Sequence, residues 1–408
     1  MNTLFLLMVL IITISFVLEQ VMDYLNGKSW TGNVPDKLKD LYNGEEYTKA
    51  QSYDFEKKKL SRLGSIIGFV ITMIILFTGG FGWLYEFTGR YTNDLILHTL
   101  LFFATYGVVM DVINTPLALY SIFVIEEKYG FNRTTVKTFI MDKVKGYLLG
   151  GLIGGSLLSM FVMFYQVAGT NFWWIAWLSI SGFTLLLSMF YASVILPLFN
   201  KLTPLPEGEL RTALVDYCNK VKFPVSDLFV MDGSKRSAKA NAFFSGLGPK
   251  KKIVLFDTLI EKHTVDELVA VMAHEVGHYK RKHTYKMTII SILQTGLMMF
   301  LLGQFINTPA LSNALGAPVA VLALGMIGFF MLYSPVSILL SIVTNSMSRK
   351  HEYEADVYAK ETFGATPLME ALKKLSKDNL TNLTPHRAYV FLYYSHPTLL
   401  QRINSLEK

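Results

Sequence analysis

Long apolar segments recur along the chain and predict a multi-span α-helical membrane protein. Crossing the roughly 30 Å hydrocarbon layer of a bilayer takes about 20 residues of helix. Seven segments satisfy this length, at residues 3–19, 63–84, 95–118, 146–168, 172–198, 287–306 and 317–344. The first lacks the positively charged start and small-residue cleavage site of a signal peptide, so we interpret it as a retained anchor.

The polar connections alternate in charge, and this alternation predicts the orientation. Lys and Arg cluster after the first, third and fifth spans and in the C-terminal tail, whereas the other connections carry at most Arg90. Because cytoplasmic loops hold the excess of positive charge, the N-terminus is expected outside and the C-terminus in the cytosol.

This topology predicts how the chain is organised. Residues 1–198 hold the first five spans, with cytosolic loops at 20–62 and 125–145. Residues 199–286 form the first part of a cytosolic domain, 287–344 hold spans six and seven, and 345–408 form its second part. We expect the two cytosolic parts to make one domain, since both emerge on the same side of the membrane.

The overall composition agrees with this interpretation. Hydrophobic residues make up 51% of the 408 residues and charged residues only 17%, below the roughly 25% of soluble domains. The net charge of +7 is explained by the cytosolic Lys and Arg, and no basic, aromatic stripe indicates a nucleic-acid partner. The single Cys218 excludes an internal disulfide and a cysteine-built zinc site.

The strongest chemical signal is His274-Glu275-Val276-Gly277-His278. The acidic pair Asp266 and Glu267 and the basic run after Tyr279 predict a helix through the motif. On such a helix His274 and His278 share one face and can bind one Zn²⁺ ion. Glu275 is close enough to act as the general base of a zinc peptidase without being a ligand.

A third ligand is expected just beyond the seventh span. Glu352 can complete a His-His-Glu set, and Asp356, one helical turn later, can accept a hydrogen bond from the far nitrogen of a ligand histidine. His351 and Glu354 are competing candidates for the ligand position.

Several motifs together resemble the integral-membrane type I CAAX prenyl proteases. They lie at residues 34–40, 49–53, 241–246, 253–259, 348–356 and 394–397 and so extend over nearly the whole chain. The resemblance implies seven transmembrane helices in a barrel around a chamber, closed at one end by a cytosolic α+β gluzincin-like peptidase domain. It also implies one Zn²⁺ per chain held by His274, His278 and Glu352, with Glu275 as base and Asp356 as partner of a ligand.

The resemblance assigns further roles that spacing alone does not. Asn241, Ala242, Phe243 and Phe244 correspond to an edge strand that pairs with the substrate backbone. His396 is expected to stabilise the tetrahedral oxyanion. Arg402 is expected either to bind a substrate carboxylate or to brace Asp356. The histidines without motif support are interpreted as structural; they are His98, His263, His283 and His386.

Polar residues within the spans need an explanation, because hydrocarbon penalises them. They are His98, Asp111, Asn114, Gln294 and Asn345. Either a proton or ion pathway or a water-filled chamber could account for them, and the resemblance favours the chamber. On the fourth span Gly150, Gly151, Gly154 and Gly155 predict close helix packing.

The favoured function is removal of the last three residues of prenylated CAAX proteins or peptides. One alternative is quality-control proteolysis of non-prenylated membrane proteins, and a more remote one is a transporter or scaffold with a non-catalytic zinc site. Glu275 argues against the last, since a vestigial site needs no base. The short, uncharged connection at 307–316 favours a bacterial inner membrane, with the endoplasmic reticulum as the alternative.

Overall fold

The structure is a computed structural model that describes residues 2–30, 33–245 and 251–408. Gly246, the last residue of the 241–246 motif, lies outside these residues. The helices of the described part are α1 (Thr3–Lys28), α2 (Gly44–Phe77), α3 (Gly80–Gly89), α4 (Leu95–Tyr120), α5 (Val136–Leu149), α6 (Gly155–Ala168), α7 (Phe172–Phe190), α8 (Leu196–Phe199), α9 (Glu209–Lys220), α10 (Asp257–Ile260), α11 (Val265–Lys280), α12 (His283–Phe305), α13 (Pro309–Ala314), α14 (Leu322–Thr362), α15 (Ala365–Asp378), α16 (Arg387–Tyr393) and α17 (Leu399–Leu406).

Seven of the described helical stretches are long and apolar enough to span a membrane, as predicted. They are Thr3–Lys28, Gly44–Phe77, Leu95–Glu126, Val136–Ala168, Phe172–Phe199, His283–Phe305 and Leu322–Thr362. The third, fourth and fifth contain π-helical turns, at Ser121–Glu126, Gly150–Gly154 and Tyr191–Ile195.

The spanning helices form a hollow ring. Each packs on the span before and after it in the chain, and α14 closes the ring by packing on α1. In six spans only 6–11% of the apolar window is buried within the protein, and in the seventh 28%. A filled bundle would bury one face of every helix. The predicted barrel of seven helices around a chamber is therefore confirmed.

Two predicted spans, 63–84 and 317–344, extend several residues beyond their helices, and in both places the backbone explains why. Helix α2 ends at Phe77, not at residue 84, because Gly79 adopts a left-handed φ of 67° and starts a separate helix. Helix α14 begins at Leu322, not at residue 317, because residues 317–321 form a loop. The Ser312 hydroxyl holds this loop by accepting from the backbone N–H of Val321 at 2.9 Å.

The polar residues of the spans have different surroundings. His98 is buried, and its Nε2 lies 2.8 Å from the Tyr85 carbonyl oxygen, so it fixes the end of α3 and does not line the chamber. Asp111 bonds to Lys143 and Tyr147 of the next span. Asn345 donates to the Leu392 carbonyl at 2.9 Å. Asn114 alone of these four is exposed.

Close packing through the glycines of the fourth span was a wrong prediction. A Cβ on Gly150, Gly151 or Gly154 would meet nothing within 4 Å, and one on Gly155 would only graze Leu100 at 4.0 Å. These glycines lie in and beside the π-helical turn, which faces open space and not a neighbouring helix.

The polar domain contains a four-stranded sheet packed against helices α9, α11 and α15. Its strands are β1 (Leu202–Pro204), β2 (Val225–Met231), β3 (Ala242–Ser245) and β4 (Lys251–Phe256), in the order β1-β2-β4-β3. Strands β2 and β4 are parallel and the other pairs antiparallel.

The division of the chain at 198, 286 and 344 stays a prediction, and α14 runs unbroken across the last of these boundaries.

The exposed Asn114 gives a test of the chamber. An amide in hydrocarbon is penalised, so Asn114 should face water. We expect Asn114→Cys to react with a membrane-impermeant, water-soluble thiol reagent in proteoliposomes, as measured by mass spectrometry.

The matched control is Thr99→Cys on the same helix, which is fully buried and should stay unmodified. The parent chain should also stay unmodified, because its one thiol, Cys218, is buried. Labelling of Asn114→Cys by lipid-phase reagents alone would contradict a wet chamber.

Candidate metal centre

Helix α11 positions the two histidines of the motif. It starts at a capping box in which the Thr264 hydroxyl accepts from the Glu267 N–H and the Glu267 carboxylate accepts from the Thr264 N–H. Its buried apolar face anchors it in the core of the polar domain; this face consists of Leu268, Val269, Ala270, Met272, Ala273 and Val276. His274 and His278 lie one turn apart on the face towards α14.

Helices α11 and α14 approach very closely at Gly277. A Cβ on this residue would lie 3.0 Å from the Ala355 Cα and 3.1 Å from both the Ala355 oxygen and the Tyr358 Cβ. Only glycine lets the two backbones come this near. The approach brings Glu352 and Asp356 of α14 to the histidines of α11.

Three side chains converge between these helices. The Nε2 atoms of His274 and His278 are 3.1 Å apart. A Glu352 carboxylate oxygen lies 3.4 Å from the first and the other oxygen 3.2 Å from the second. Among the described residues this is the one group of three such side chains that could hold a metal ion.

The competing candidates His351 and Glu354 point elsewhere. The His351 ring stacks on His283, with centroids 4.0 Å apart. Glu354 lies 2.9 Å from the Nε2 of His283. Neither side chain faces the pair of Nε2 atoms, so Glu352 is the candidate that the fold brings to them.

The candidate ligand atoms are close enough together to hold one small metal ion. Bonds of about 2.0–2.2 Å from a tetrahedral ion place neighbouring ligand atoms roughly 3.3–3.6 Å apart. The two Nε2 atoms are 3.1 Å apart, and each lies 3.2–3.4 Å from a different oxygen of the Glu352 carboxylate. Charge agrees as well: the carboxylates of Glu275, Glu352 and Asp356 surround the single guanidinium of Arg402. Two positive charges, those of a divalent cation, would balance the site.

Asp356 and Arg402 fix the orientation of His274. Asp356 Oδ1 lies 2.8 Å from His274 Nδ1, which leaves Nε2 free to face the site. Arg402 donates from Nε to the other Asp356 oxygen at 2.9 Å, and its side chain is only 11% exposed. Of the two roles expected for Arg402, the contacts match bracing of Asp356.

The titratable groups show a strongly negative environment. Burial and the charge of Arg402 oppose protonation of His274, but its hydrogen bonds to Asp356 and Glu352 outweigh them and raise the pKa of the imidazole to about 9. The negative charge that favours a proton here also favours a metal cation. Burial raises the pKa of Glu275, against the opposing effect of the two neighbouring histidines, as expected of a base that must accept a proton near neutral pH.

Of the remaining predicted site residues, His396 lies beside this group, and the strand residues lie in or next to β3. The His396 side chain is 63% exposed, and its Nε2 is 3.4 Å from a Glu352 oxygen. Asn241 precedes β3, and Ala242, Phe243 and Phe244 lie within it. Because β3 is the last strand of the sheet, one of its edges is unpaired among the described residues.

One residue near the site was missed by sequence reasoning. His283, interpreted as structural, has its Nδ1 3.1 Å from the Nδ1 of the ligand candidate His278. The two belong to different helices joined by a turn at Lys282 (φ 58°). The separation of five residues predicts no contact on a continuous helix, so the sequence pattern carried no signal.

Two family models together cover nearly the whole chain. Residues 23–201 match "CAAX prenyl protease N-terminal, five membrane helices", and residues 204–408 match "Peptidase family M48". The chain belongs to the CAAX prenyl protease family, within peptidase family M48. It is therefore a membrane metalloprotease, and its His-His-Glu group lies in the M48 domain.

Individual known proteins resemble the chain over most of its length. The probable CAAX prenyl protease 1 of Schizosaccharomyces pombe is 35% identical over 390 residues, which are 91% of this chain and 82% of that protein. The CAAX prenyl protease 1 homolog of rice is 35% identical over 386 residues, 92% and 90% of the two chains. The crystal structure of S. mikatae Ste24p matches with a TM-score of 0.95 at 31% identity and covers all of both chains.

The close approach at Gly277 predicts the effect of a single methyl group. Gly277→Ala would force α11 and α14 apart and widen the ligand spacing of this M48 protease. We expect a loss of about 1–3 kcal/mol in stability together with weaker metal retention, measured by thermal unfolding and by metal analysis after dialysis.

Gly107→Ala is the control, because a Cβ there meets nothing within 4 Å. It should unfold at the same temperature as the parent or slightly above it. Equal unfolding temperatures for both variants would show that the approach at Gly277 does not constrain the site.

Proposed function

We propose that this chain is a zinc-dependent endopeptidase that removes the last three residues of prenylated CAAX proteins or peptides. The observation that carries the proposal is the convergence of His274, His278 and Glu352, with Glu275 beside them, at one end of a hollow ring of membrane helices. The names of the relatives, CAAX prenyl proteases of yeast and rice, supply the substrate class.

Zinc is the metal that the donor set favours. Two imidazoles and one carboxylate, with a fourth position left open, are the ligands of many zinc peptidases. When bound, zinc polarises the scissile carbonyl and makes water nucleophilic near neutral pH. In this proposal His274, His278 and Glu352 hold one ion per chain.

The remaining side chains act on protons and charge. Glu275 takes the proton of the attacking water and passes it to the leaving amine. His396 is exposed, can reach the reacting carbonyl from the open side and donates a hydrogen bond to the developing oxyanion. Asp356 and Arg402 keep His274 in the tautomer that presents Nε2.

The free edge of β3 is proposed to bind the substrate backbone. The Phe256 N–H donates to the Asn241 carbonyl at 3.1 Å, and Ala242 lies opposite Leu255. Residues of an antiparallel strand alternate in bonding direction, so the N–H and C=O of Ala242 point away from β4. The Asn241 side chain accepts from this outward N–H at 2.9 Å, and a substrate carbonyl would replace it.

We place the protein in the endoplasmic reticulum membrane, with its C-terminus in the cytosol. The eukaryotic origin of the relatives supports this compartment over the bacterial inner membrane that the short connection at 307–316 favoured. The alternating charge of the connections supports the orientation. In this arrangement the candidate metal centre lies on the cytosolic side of the membrane.

One cleavage experiment tests substrate and metal together. Purified protein in proteoliposomes would be given a farnesylated CAAX peptide and the same peptide without its lipid, each with and without a chelator. We expect release of the C-terminal tripeptide from the farnesylated peptide, little from the other, and recovery after chelation with stoichiometric Zn²⁺, followed by mass spectrometry.

Glu275→Gln is the control, because it removes the base and leaves the three ligands in place. It should retain zinc and lose cleavage. Equal cleavage of both peptides would favour a quality-control protease, and bound zinc without cleavage of either would favour a transporter or scaffold. Undiminished cleavage by Glu275→Gln would contradict the mechanism.

Ala242→Pro tests the role of the strand edge. It removes the outward N–H and its exposed bond to the Asn241 side chain. It removes no bond to β4, and proline is tolerated on that side of an edge strand. We expect KM to rise roughly fivefold, the equivalent of about 1 kcal/mol for one hydrogen bond, with an unchanged unfolding temperature.

Ala242→Val is the matched variant, since it keeps the N–H and suits a strand. Its KM should stay near that of the parent. If the proline variant had the parent's KM, pairing of the substrate at this residue would be excluded.

A further inference from the structure

The two candidate ligand histidines have different partners at Nδ1, the ring nitrogen that faces away from the metal position. His274 is held by Asp356, whereas His278 meets the imidazole of His283, with the two Nδ1 atoms 3.1 Å apart. On its other side, the Nε2 of His283 lies 2.9 Å from a Glu354 oxygen. The three side chains therefore form a line that leads from the metal position to a carboxylate 33% exposed to solvent.

One arrangement of protons satisfies every contact in this line. To present the Nε2 lone pair to a metal, a neutral His278 carries its proton on Nδ1. This N–H needs an acceptor, which is the Nδ1 of His283. The proton of a neutral His283 is then on Nε2, where it is donated to the Glu354 carboxylate. The opposite tautomer of His283 would bring two N–H groups face to face and would set an unprotonated ring nitrogen against the Glu354 carboxylate oxygen.

We propose that His283 and Glu354 are positioning residues for the metal ligand His278. They fix its tautomer and ring orientation, as Asp356 and Arg402 do for His274. The inference rests on the proposed metal site, but it assigns a function to a histidine that no motif marks and to a carboxylate that had been a rival ligand.

The local fold favours this contact over free rotation of the ring. Lys282 adopts a left-handed φ of 58°, which is unfavourable for a residue with a Cβ, and turns the chain so that α12 starts directly beside the end of α11. The side chain of His283 is only 3% exposed. The His351 ring covers one of its faces, with an interplanar angle of 12°.

A purely packing role for His283 is the competing explanation, and metal affinity separates the two. His283→Leu fills the space but accepts no hydrogen bond, whereas the Oδ1 of His283→Asn can still accept from His278. We expect roughly 10–100-fold weaker Zn²⁺ binding for the leucine variant and recovery of most of this loss by the asparagine variant, measured by competition with a chromophoric chelator.

His351→Phe is the packing control, because it keeps the stacked ring and replaces a side chain with no hydrogen bond to His283. Its Zn²⁺ affinity should equal that of the parent. The visible spectrum of the Co²⁺-substituted protein should change in His283→Leu and stay the same in His351→Phe, since it reports the ligand field at the metal.

Substitutions at Glu354 test the proposal independently, because its side chain is 33% exposed and its replacement does not disturb a buried residue. Glu354→Leu removes the acceptor for the His283 N–H and should weaken Zn²⁺ binding, whereas Glu354→Gln keeps an acceptor oxygen and should restore it. This test decides the matter if the substitutions at His283 prevent folding.

The outcomes separate this inference from the proposed function. Parent-like Zn²⁺ affinity and Co²⁺ spectra in His283→Leu and Glu354→Leu, with the parent binding zinc, would overturn the positioning role alone. Equal losses in the leucine and asparagine variants and in His351→Phe would also overturn it in favour of packing. A parent protein without Zn²⁺ binding would overturn the proposed function itself.

Discussion

The close packing of α11 on α14 at Gly277 is the constraint on which the site depends. Each helix contributes two side chains to the site: α11 the candidate ligands His274 and His278, and α14 the candidate ligand Glu352 and the His274 partner Asp356. With the backbones in near contact at Ala355, short side chains reach one point without strain. A short turn joins α11 to the spanning helix α12, and α14 is itself a spanning helix, so the packing of the ring and the geometry of the site depend on each other.

Electrostatics explains why the buried carboxylate of Asp356 needs partners from other helices. Burying carboxylates is unfavourable unless they are paired, and Asp356 is fully buried. Arg402 compensates one charge from the last helix of the chain, and the His274 Nδ1 lies within hydrogen-bond distance of the same Asp356 carboxylate. The C-terminal helix α17, far from the motif in sequence, is therefore as much a part of the metal centre as α11.

The sequence predicted what is encoded locally. Span number follows from hydrophobic length, and the placement of His274 and His278 follows from helical periodicity. Asp356 was also accessible, since one helical turn separates it from Glu352. The end of α2, the start of α14 and the contact of His283 with His278 were not, because each depends on a backbone turn (Gly79, the loop after Ser312, and Lys282) whose φ angles no hydrophobic pattern encodes. The prediction of close packing at the fourth-span glycines was wrong for a related reason. Their four-residue spacing is typical of helix contacts, but it does not show whether a neighbouring helix is present.

The unbroken helix α14, 41 residues from Leu322 to Thr362, has a consequence for biogenesis. The histidines are synthesised before the sixth span, and Glu352 leaves the ribosome only after the seventh. The donor set is thus complete only when both spans have been inserted and have packed on the ring. In the proposed site, an incompletely assembled chain therefore lacks the third donor, and the full set of metal ligands is available only late in synthesis.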